Sequence, residues 1–261
     1  MIQKIRHIFM IKKKILIATG GTGGHILPAY SLANFLVDNN YNLTITTDKR
    51  GLKYLQDSKK FKLIKLTLSP IFKKNIFKFL ISSFFIFFSI IKSVMILSLN
   101  RPSIIFGMGG YASFPVCIAA SILRIKFIIY ENNLVIGKAN KFLLPFAEKL
   151  FVSYKELEGV SEKYSHKILQ IGNIVRENII NPNFKNNQVT SFDELRILVI
   201  GGSQAAKSFA EELPVIFTKL KNSKVPLKIF QQCQENQYEQ LSLFYKEAKI
   251  DFEIFNFADN I

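Results

Sequence analysis

Acidic residues are scarce in the first half of this 261-residue chain: three up to Tyr130, against nineteen Lys and Arg. From Glu131 onward there are sixteen of each sign, so the whole net charge of +16 belongs to the first half. Such a surface seeks anions: nucleic acid, acidic lipid or phosphorylated ligands. Cysteine is scarcer still. Cys117 and Cys233 are far apart, no CxxC occurs, and two lone thiols make no disulfide framework, so the reducing cytoplasm is the default compartment. His7, His25 and His166 are too few and too scattered for a zinc site. There is no Asp-x-Asp pair, so a metal-held diphosphate is not indicated. The basic N-terminus, Met1 to Lys14, holds only a four-residue apolar piece, Ile8 to Ile11. It lacks a signal-peptide core and cleavage site, and reads as a solvated lead-in. What is abundant is apolar: 49% hydrophobic residues and 25 Phe exclude a disordered chain.

Strands alternate with helices. Lys14 to Thr19 is a short apolar run that ends in Gly20-Gly-Thr-Gly-Gly-His25, and Ile26 to Val37 reads as a helix. Asn42 to Thr47, Pro102 to Phe106 and Lys126 to Tyr130 read as strands, with a helix over Phe114 to Leu123. This alternation implies a parallel α/β sheet. The pattern restarts 182 positions later: Arg196 to Ile200 runs into Gly201-Gly-Ser-Gln204, a helix follows from Ala205 to Leu213, and Pro226 to Gln231 and Phe252 to Phe255 read as strands. The Asn-rich stretch Asn181 to Ser191 reads as a loop near the boundary. The expected architecture is two tandem Rossmann-like domains, 1–180 and 190–261, the second incomplete. With about three strands before Ile261, the chain reads as truncated at its C-terminus.

Gly20 to Gly24 sits between a strand and a helix, where free backbone N–H groups and the helix N-terminus make an anion site. No Lys-Ser/Thr follows, so it is not a Walker A loop, and it fits GxGxxG poorly. Gly107-Met-Gly-Gly-Tyr111 ends another strand of the same sheet. Two such loops at one carboxyl edge point at one crevice and suit a doubly phosphorylated ligand. His25 could cap the helix or act on substrate. Tyr111 could be packing, Glu131 could orient His25 or end a strand, Arg176 could be a solvated surface residue, and Ser203 could be an ordinary N-cap.

Gly-Gly-Thr-Gly-Gly-His25 with Ile-Leu-Pro-Ala after it, then Gly-Met-Gly-Gly-Tyr111 with Ala-Ser-Phe-Pro, Glu131-Asn-Asn, Gly172-Asn-Ile-Val-Arg and Gly201-Gly-Ser-Gln, in this order, resemble the MurG family of peptidoglycan glycosyltransferases. The resemblance runs from about Lys14 to Ile261 and implies the GT-B fold of two Rossmann domains. It implies an inverting transfer of N-acetylglucosamine from UDP-N-acetylglucosamine to lipid I, without a cofactor, by a peripheral enzyme on the cytoplasmic face of the bacterial inner membrane. His25 would be the general base, with Tyr111 and Glu131 beside it. The loops Gly20 to Gly24 and Gly107 to Gly110, with Gly109 and Gly110, would hold the acceptor diphosphate, and Thr22, Gly23, Gly24 and Asn133 would also line the cleft facing the donor sugar. Arg176 and Ser203 would contact the UDP diphosphate, and Phe257 and Ala258 the uracil. Tyr130, Ile174 and Ala205 depart from the family's His, Pro and Gly. The family's ribose-binding Glu and sugar-reading Gln correspond to positions past Ile261.

Phe79 to Ile91 is thirteen residues without a charge, short of the roughly twenty a spanning helix needs. Lys74, Lys78, Ser82, Ser89, Lys92 and Ser93 fall on one helical stripe, broken by Phe85 and Ile96, and the rest of the circumference is apolar. The readings are a buried helix, a helix dipping into a bilayer interface, or a spanning one. Alternatives to the MurG-type enzyme are another two-domain nucleotide-sugar enzyme, such as a diacylglycerol glycosyltransferase or sugar epimerase, and a non-catalytic remnant that binds anionic lipid. A nucleic-acid partner is not expected, since no stacking-aromatic motif accompanies the lysines.

Overall fold

The computed structural model describes residues 13–21, 23–55, 60–66, 76–176, 194–201 and 203–256. The side chains of 76–80 and 203–206 are outside that description, as are the lead-in up to 12 and the boundary loop 181–191. The chain divides into two compact units, Met1–Asn183 and Phe184–Ile261.

Unit 1 is a seven-stranded parallel sheet. Its elements are β1 (Lys14–Ala18), α1 (Gly23–Asp38), β2 (Asn42–Thr47), α2 (Lys49–Leu52), β3 (Lys62–Lys65), α3 (Ile76–Asn100), β4 (Ile104–Gly107), α4 (Gly110–Ile122), β5 (Phe127–Glu131), α5 (Lys138–Leu143), β6 (Lys149–Val152) and β7 (Ile168–Gln170). The strand order is β3-β2-β1-β4-β5-β6-β7. Alternation sets the two cores, because successive side chains leave a strand on opposite faces. Leu16 and Ala18 of β1 join Leu97 of α3, Val116 and Cys117 of α4 and Leu143 of α5. Ile15 and Ile17 join Ile26, Ala29, Ala33 and Leu36 of α1 on the other side. Helices therefore cover both faces, as a parallel sheet requires. A Cβ on Gly107 would stand 2.7 Å from Cys117 Sγ, so α4 lies close on β4 only because the strand ends in glycine. Burial pushes the Cys117 thiol up to about 12, which keeps it inert.

The helix α3 is inside out. Ser82, Ser89, Ser93 and Leu97 are buried, while Phe84, Phe85, Phe87, Phe88 and Met95 are exposed. The polar stripe of the sequence is thus the face turned to the protein; Lys74 and the Lys78 side chain are outside the described residues. Exposed Lys92 donates to the Lys65 carbonyl at 3.0 Å. The helix α3 packs against α4, in which Ala112, Ser113, Ala119 and Ala120 are buried small residues. Residues Ile81–Asn100 are long and apolar enough to cross a membrane. The described residues of the helix instead rest one face on unit 1 and leave Phe84, Phe85, Phe87 and Phe88 uncovered.

Among its described residues unit 2 has three parallel strands in the order β10-β9-β8: β8 (Leu195–Val199), β9 (Leu227–Gln232) and β10 (Asp251–Phe255). Its helices are α6 (Ser203–Asn222) and α7 (Tyr238–Glu247). Its core gathers Val199, Phe217, Leu227, Ile229, Leu241 and Tyr245. The expected α/β class with two Rossmann-like repeats describes both units. The sequence reading passed over β3, β6, β7, α2, α5 and α7, which are short or carry weaker apolar runs.

Candidate active site

The strand order reverses at β1, which pairs with β2 on one side and β4 on the other. In a parallel α/β sheet a crevice opens at that point beyond the carboxyl ends. Both glycine loops leave the sheet there. They touch: a Cβ on Gly20 would lie 2.4 Å from Ala112 Cβ, and one on Gly110 would lie 3.5 Å from the Gly20 carbonyl oxygen.

His25 sits in the first turn of α1, its ring laid on Gly109 and Gly110. Those residues have φ of +83° and +72°, and a Cβ on either would come within 3.0 to 3.2 Å of the imidazole. Only glycine meets both demands. In the neutral imidazole one nitrogen carries the proton and the other keeps its lone pair. Burial lowers the His25 pKa and outweighs the opposing pull of the Glu131 charge. The ring is therefore a neutral acceptor at physiological pH.

Glu131 ends β5 and is buried. Its Oε1 accepts from the Asn133 amide nitrogen at 3.2 Å and from Asn133 Nδ2 at 2.7 Å. Its Oε2 accepts from the Gly137 N–H at 2.8 Å and from Asn140 Nδ2 at 3.0 Å. Both oxygens are thus committed to the loop after β5, and its charge reaches His25 through space. The same loop reaches α1. Pro28 has no N–H for the Gly24 carbonyl four residues back, and Asn132 Nδ2 donates to that carbonyl at 3.2 Å.

Asp48, the N-cap of α2, braces the first loop from behind. Its Oδ1 accepts from the Gly21 and Gly51 N–H groups at 3.1 and 2.9 Å, and its Oδ2 from the Tyr111 hydroxyl at 2.6 Å and Arg50 Nε at 3.3 Å. Burial disfavours the charge on Asp48, but these donors overcome it and hold the carboxyl below its ordinary range. The Tyr111 hydroxyl is pushed up to about 12 by burial and by its bond to Asp48. It donates and does not act as a base. Arg50 also hydrogen-bonds the Tyr111 hydroxyl, stacks over its ring and remains half exposed beside Gly21.

A cavity of about 520 Å³ opens from this cluster, and its lining includes His25, Gly110, Tyr111, Ile86, Phe114 and Phe142. Tyr130 anchors the segment after β7. Its hydroxyl bonds Ser153 Oγ at 2.9 Å and accepts from the Ile174 N–H at 3.2 Å. Arg176, two residues on, is half-buried.

In unit 2, Gln232 at the end of β9 accepts from the Gly201 N–H at 3.2 Å and donates to the Asn256 carbonyl at 3.0 Å. It ties the glycine turn after β8 to the segment after β10.

Residues 15–152 match the Glycosyltransferase family 28 N-terminal domain, and residues 196–261 match the Glycosyltransferase family 28 C-terminal domain. The chain belongs to glycosyltransferase family 28. A relative from Pelagibacter ubique (strain HTCC1062) is 36% identical over 96% of this chain and 68% of its own length. One from Rickettsia felis is 35% identical over 95% of this chain and 70% of its own. Both are named UDP-N-acetylglucosamine–N-acetylmuramyl-(pentapeptide) pyrophosphoryl-undecaprenol N-acetylglucosamine transferase. The crystal structure of Acinetobacter baumannii MurG superposes with a TM-score of 0.68 at 25% identity, over 95% of this chain and 67% of that one. A glycosyltransferase from Rickettsia africae superposes at 0.61 and 15% identity, over 96% and 70%, and shares the fold.

Within this family 28 chain, unit 1 gathers His25, Gly109, Gly110, Tyr111, Glu131 and Asn133 around the switch point, with Gly23 and Gly24 in the first turn of α1. Thr22, Phe257 and Ala258 lie outside the described residues, and Ser203 is described only as the first residue of α6. The sequence reading missed Asp48, Arg50, Asn140 and Gln232. Asp48-Lys-Arg50 directly after a strand was the available signal for the first two, since an Asp at a strand's carboxyl end can cap the next helix.

Proposed function

We propose that the chain transfers N-acetylglucosamine from UDP-N-acetylglucosamine to the N-acetylmuramyl-pentapeptide of a pyrophosphoryl-undecaprenol acceptor, lipid I, with inversion. One observation carries the reading: the His25 ring seated on Gly109–Gly110, where two glycine loops meet at the switch point of the sheet and burial favours the neutral imidazole. The acceptor sugar hydroxyl attacks the anomeric carbon, His25 takes its proton, the new C–O bond forms, and UDP leaves with the electrons of the old one. The loops 20–24 and 107–110 hold the acceptor diphosphate through backbone N–H groups, and the half-exposed Arg50 adds a positive charge beside Gly21. Asn133 faces the donor sugar. Arg176, Ser203, Phe257 and Ala258 serve UDP, with Arg176 offsetting charge on the leaving diphosphate. Glu131 and Tyr111 position, the first through the loop after β5 and the second through Asp48.

In this reading 1–180 is the acceptor domain and 190–261 part of the UDP-sugar domain. The enzyme sits peripherally on the cytoplasmic face of the inner membrane. Support comes from α3, which turns Phe84, Phe87 and Phe88 outward, and from the basic excess of the same unit. Apolar insertion and attraction to anionic lipid are two signals that together give stable attachment.

The test is transfer of labelled sugar from UDP-N-acetylglucosamine to a pyrophosphoryl-undecaprenol acceptor in vesicles. The chain should form product, and His25→Ala should lower turnover on the order of 10²-fold with acceptor affinity retained. A chain that makes no product contradicts the transfer reading, and near-normal turnover in His25→Ala removes the base.

A further inference from the structure

We infer that the cavity beside His25 binds the first isoprene units of the acceptor's polyprenyl chain, so that this part of the lipid lies inside unit 1 and not in the bilayer. The inference rests on the acceptor reading above. It begins from the chemistry of a polyprenyl diphosphate, in which the diphosphate is bonded directly to the first isoprene unit. A protein that holds the diphosphate on its glycine loops also fixes the start of the chain within a few ångströms. That stretch is too close to the loops to stay in the bilayer, and left in water it would be penalised as any apolar surface is.

The cavity meets this need. Its volume of about 520 Å³ lies in the range of small-molecule sites. Its lining includes His25, Gly110 and Tyr111, the surroundings of the diphosphate loops. The lining also includes apolar side chains from three helices, Ile86 of α3, Phe114 of α4 and Phe142 of α5, with the Phe114 and Phe142 rings 5.4 Å apart. Of the polar lining residues, Glu131, Asn133 and Asn140 are tied together, the carboxylate accepting from Asn133, Gly137 and Asn140. Ile86 lies on the same helix as the outward Phe84, Phe87 and Phe88, so one element serves both the cavity and the membrane-facing surface. A chain leaving the diphosphate along the aromatic wall would pass from protein to bilayer without an aqueous gap.

The experiment uses the whole chain and three probes: inorganic diphosphate, farnesol and farnesyl diphosphate, each titrated into wild type and Ala139→Trp, which fills the cavity from α5. Farnesyl diphosphate should bind wild type at least tenfold more tightly than diphosphate does. Ala139→Trp should remove that advantage, weaken farnesol by tenfold or more and leave diphosphate unchanged. If diphosphate fails to bind while farnesol still discriminates between the two proteins, the cavity stands and the diphosphate reading of the loops falls. If farnesol binds both proteins alike, or neither, the inference is overturned. A farnesyl diphosphate bearing a diazirine on its second isoprene unit gives a result independent of the folding of Ala139→Trp. Labelling of Phe114, Ala139 or Phe142 in wild type supports the cavity, and labelling confined to Phe84, Phe87 and Phe88 overturns it.

Discussion

Units 1 and 2 open with the same phrase, an apolar strand, a glycine turn and a helix, and then diverge. In unit 1 the strand β1 is central, with β2 and β4 on either side, and from Ile15 to Ala18 it is buried. In unit 2 the matching strand β8 is at the edge of three, and Leu195 and Leu198 stay exposed among its described residues. Charge divides as sharply. Residues 1–183 carry 26 basic and 9 acidic side chains, residues 184–261 carry 9 and 10. The same local motif thus produces the same supersecondary unit twice, while burial and charge are properties of what surrounds it.

The largest expected effect tests burial. Ile17→Ala in β1, fully buried, should cost about 2–5 kcal/mol. Leu198→Ala in β8, 53% exposed, should cost about 0.5 kcal/mol or less. Chemical denaturation followed by amide exchange reads each unit separately. Equal losses would mean that β8 is as enclosed as β1.

A smaller effect concerns what braces the glycine turn of unit 1. Asp48→Asn places an NH₂ group where the Tyr111 hydroxyl or Arg50 Nε now donates. Two donors then face each other, and the loss should be about 1–3 kcal/mol at neutral pH. Because the folded Asp48 pKa lies below its unfolded value, its contribution is present above the unfolded pKa and disappears as pH falls through the folded one. The gap between wild type and Asp48→Asn should therefore narrow as the solution is acidified below the carboxylate range. A gap that is constant with pH would show that the Asp48 charge is not what matters.

The smallest effect separates exposed apolar surface with charge from the same without it. Phe84→Ser with Phe88→Ser should weaken binding to anionic vesicles about tenfold, roughly 1.4 kcal/mol, a fraction of what two fully buried Phe would provide. Val215→Ser with Ile216→Ser, on the exposed surface of α6, should leave it unchanged. Added salt should weaken wild-type binding, since exposed charges are screened beyond about 8 Å at physiological ionic strength. Vesicle co-sedimentation measures all three, and equal losses for the two pairs would mean that charge plays no part.

Much of this was legible in the residues. Apolar runs of four to six residues that end in glycine marked β1, β4 and β8, because a short apolar run bounded by a turn residue reads as a strand and a phosphate-sized approach needs glycine. The order of the motifs carried the family. The roles of single side chains were less legible. Glu131 precedes two asparagines, but only the fold of 131–140 shows both carboxylate oxygens taken by that loop. Asp48 belongs to a different strand end from Gly21 and Tyr111, 27 and 63 residues away, and no local pattern joins them.

By itself, then, the sequence determined the parallel α/β class, the two repeats, the glycine loops and the uneven charge, since each follows from spacing, composition or the absence of a Cβ. The tertiary structure alone decided which face of α3 is inside. Periodicity locates a polar stripe but cannot say what it meets. Here Ser82, Ser89 and Ser93 are turned inward on a helix that packs against α4, while Phe84, Phe87 and Phe88 are turned out. The same contact sets Ile86 beside Phe114 and Phe142, so the cavity next to His25 exists only once three helices have been brought together by the sheet beneath them.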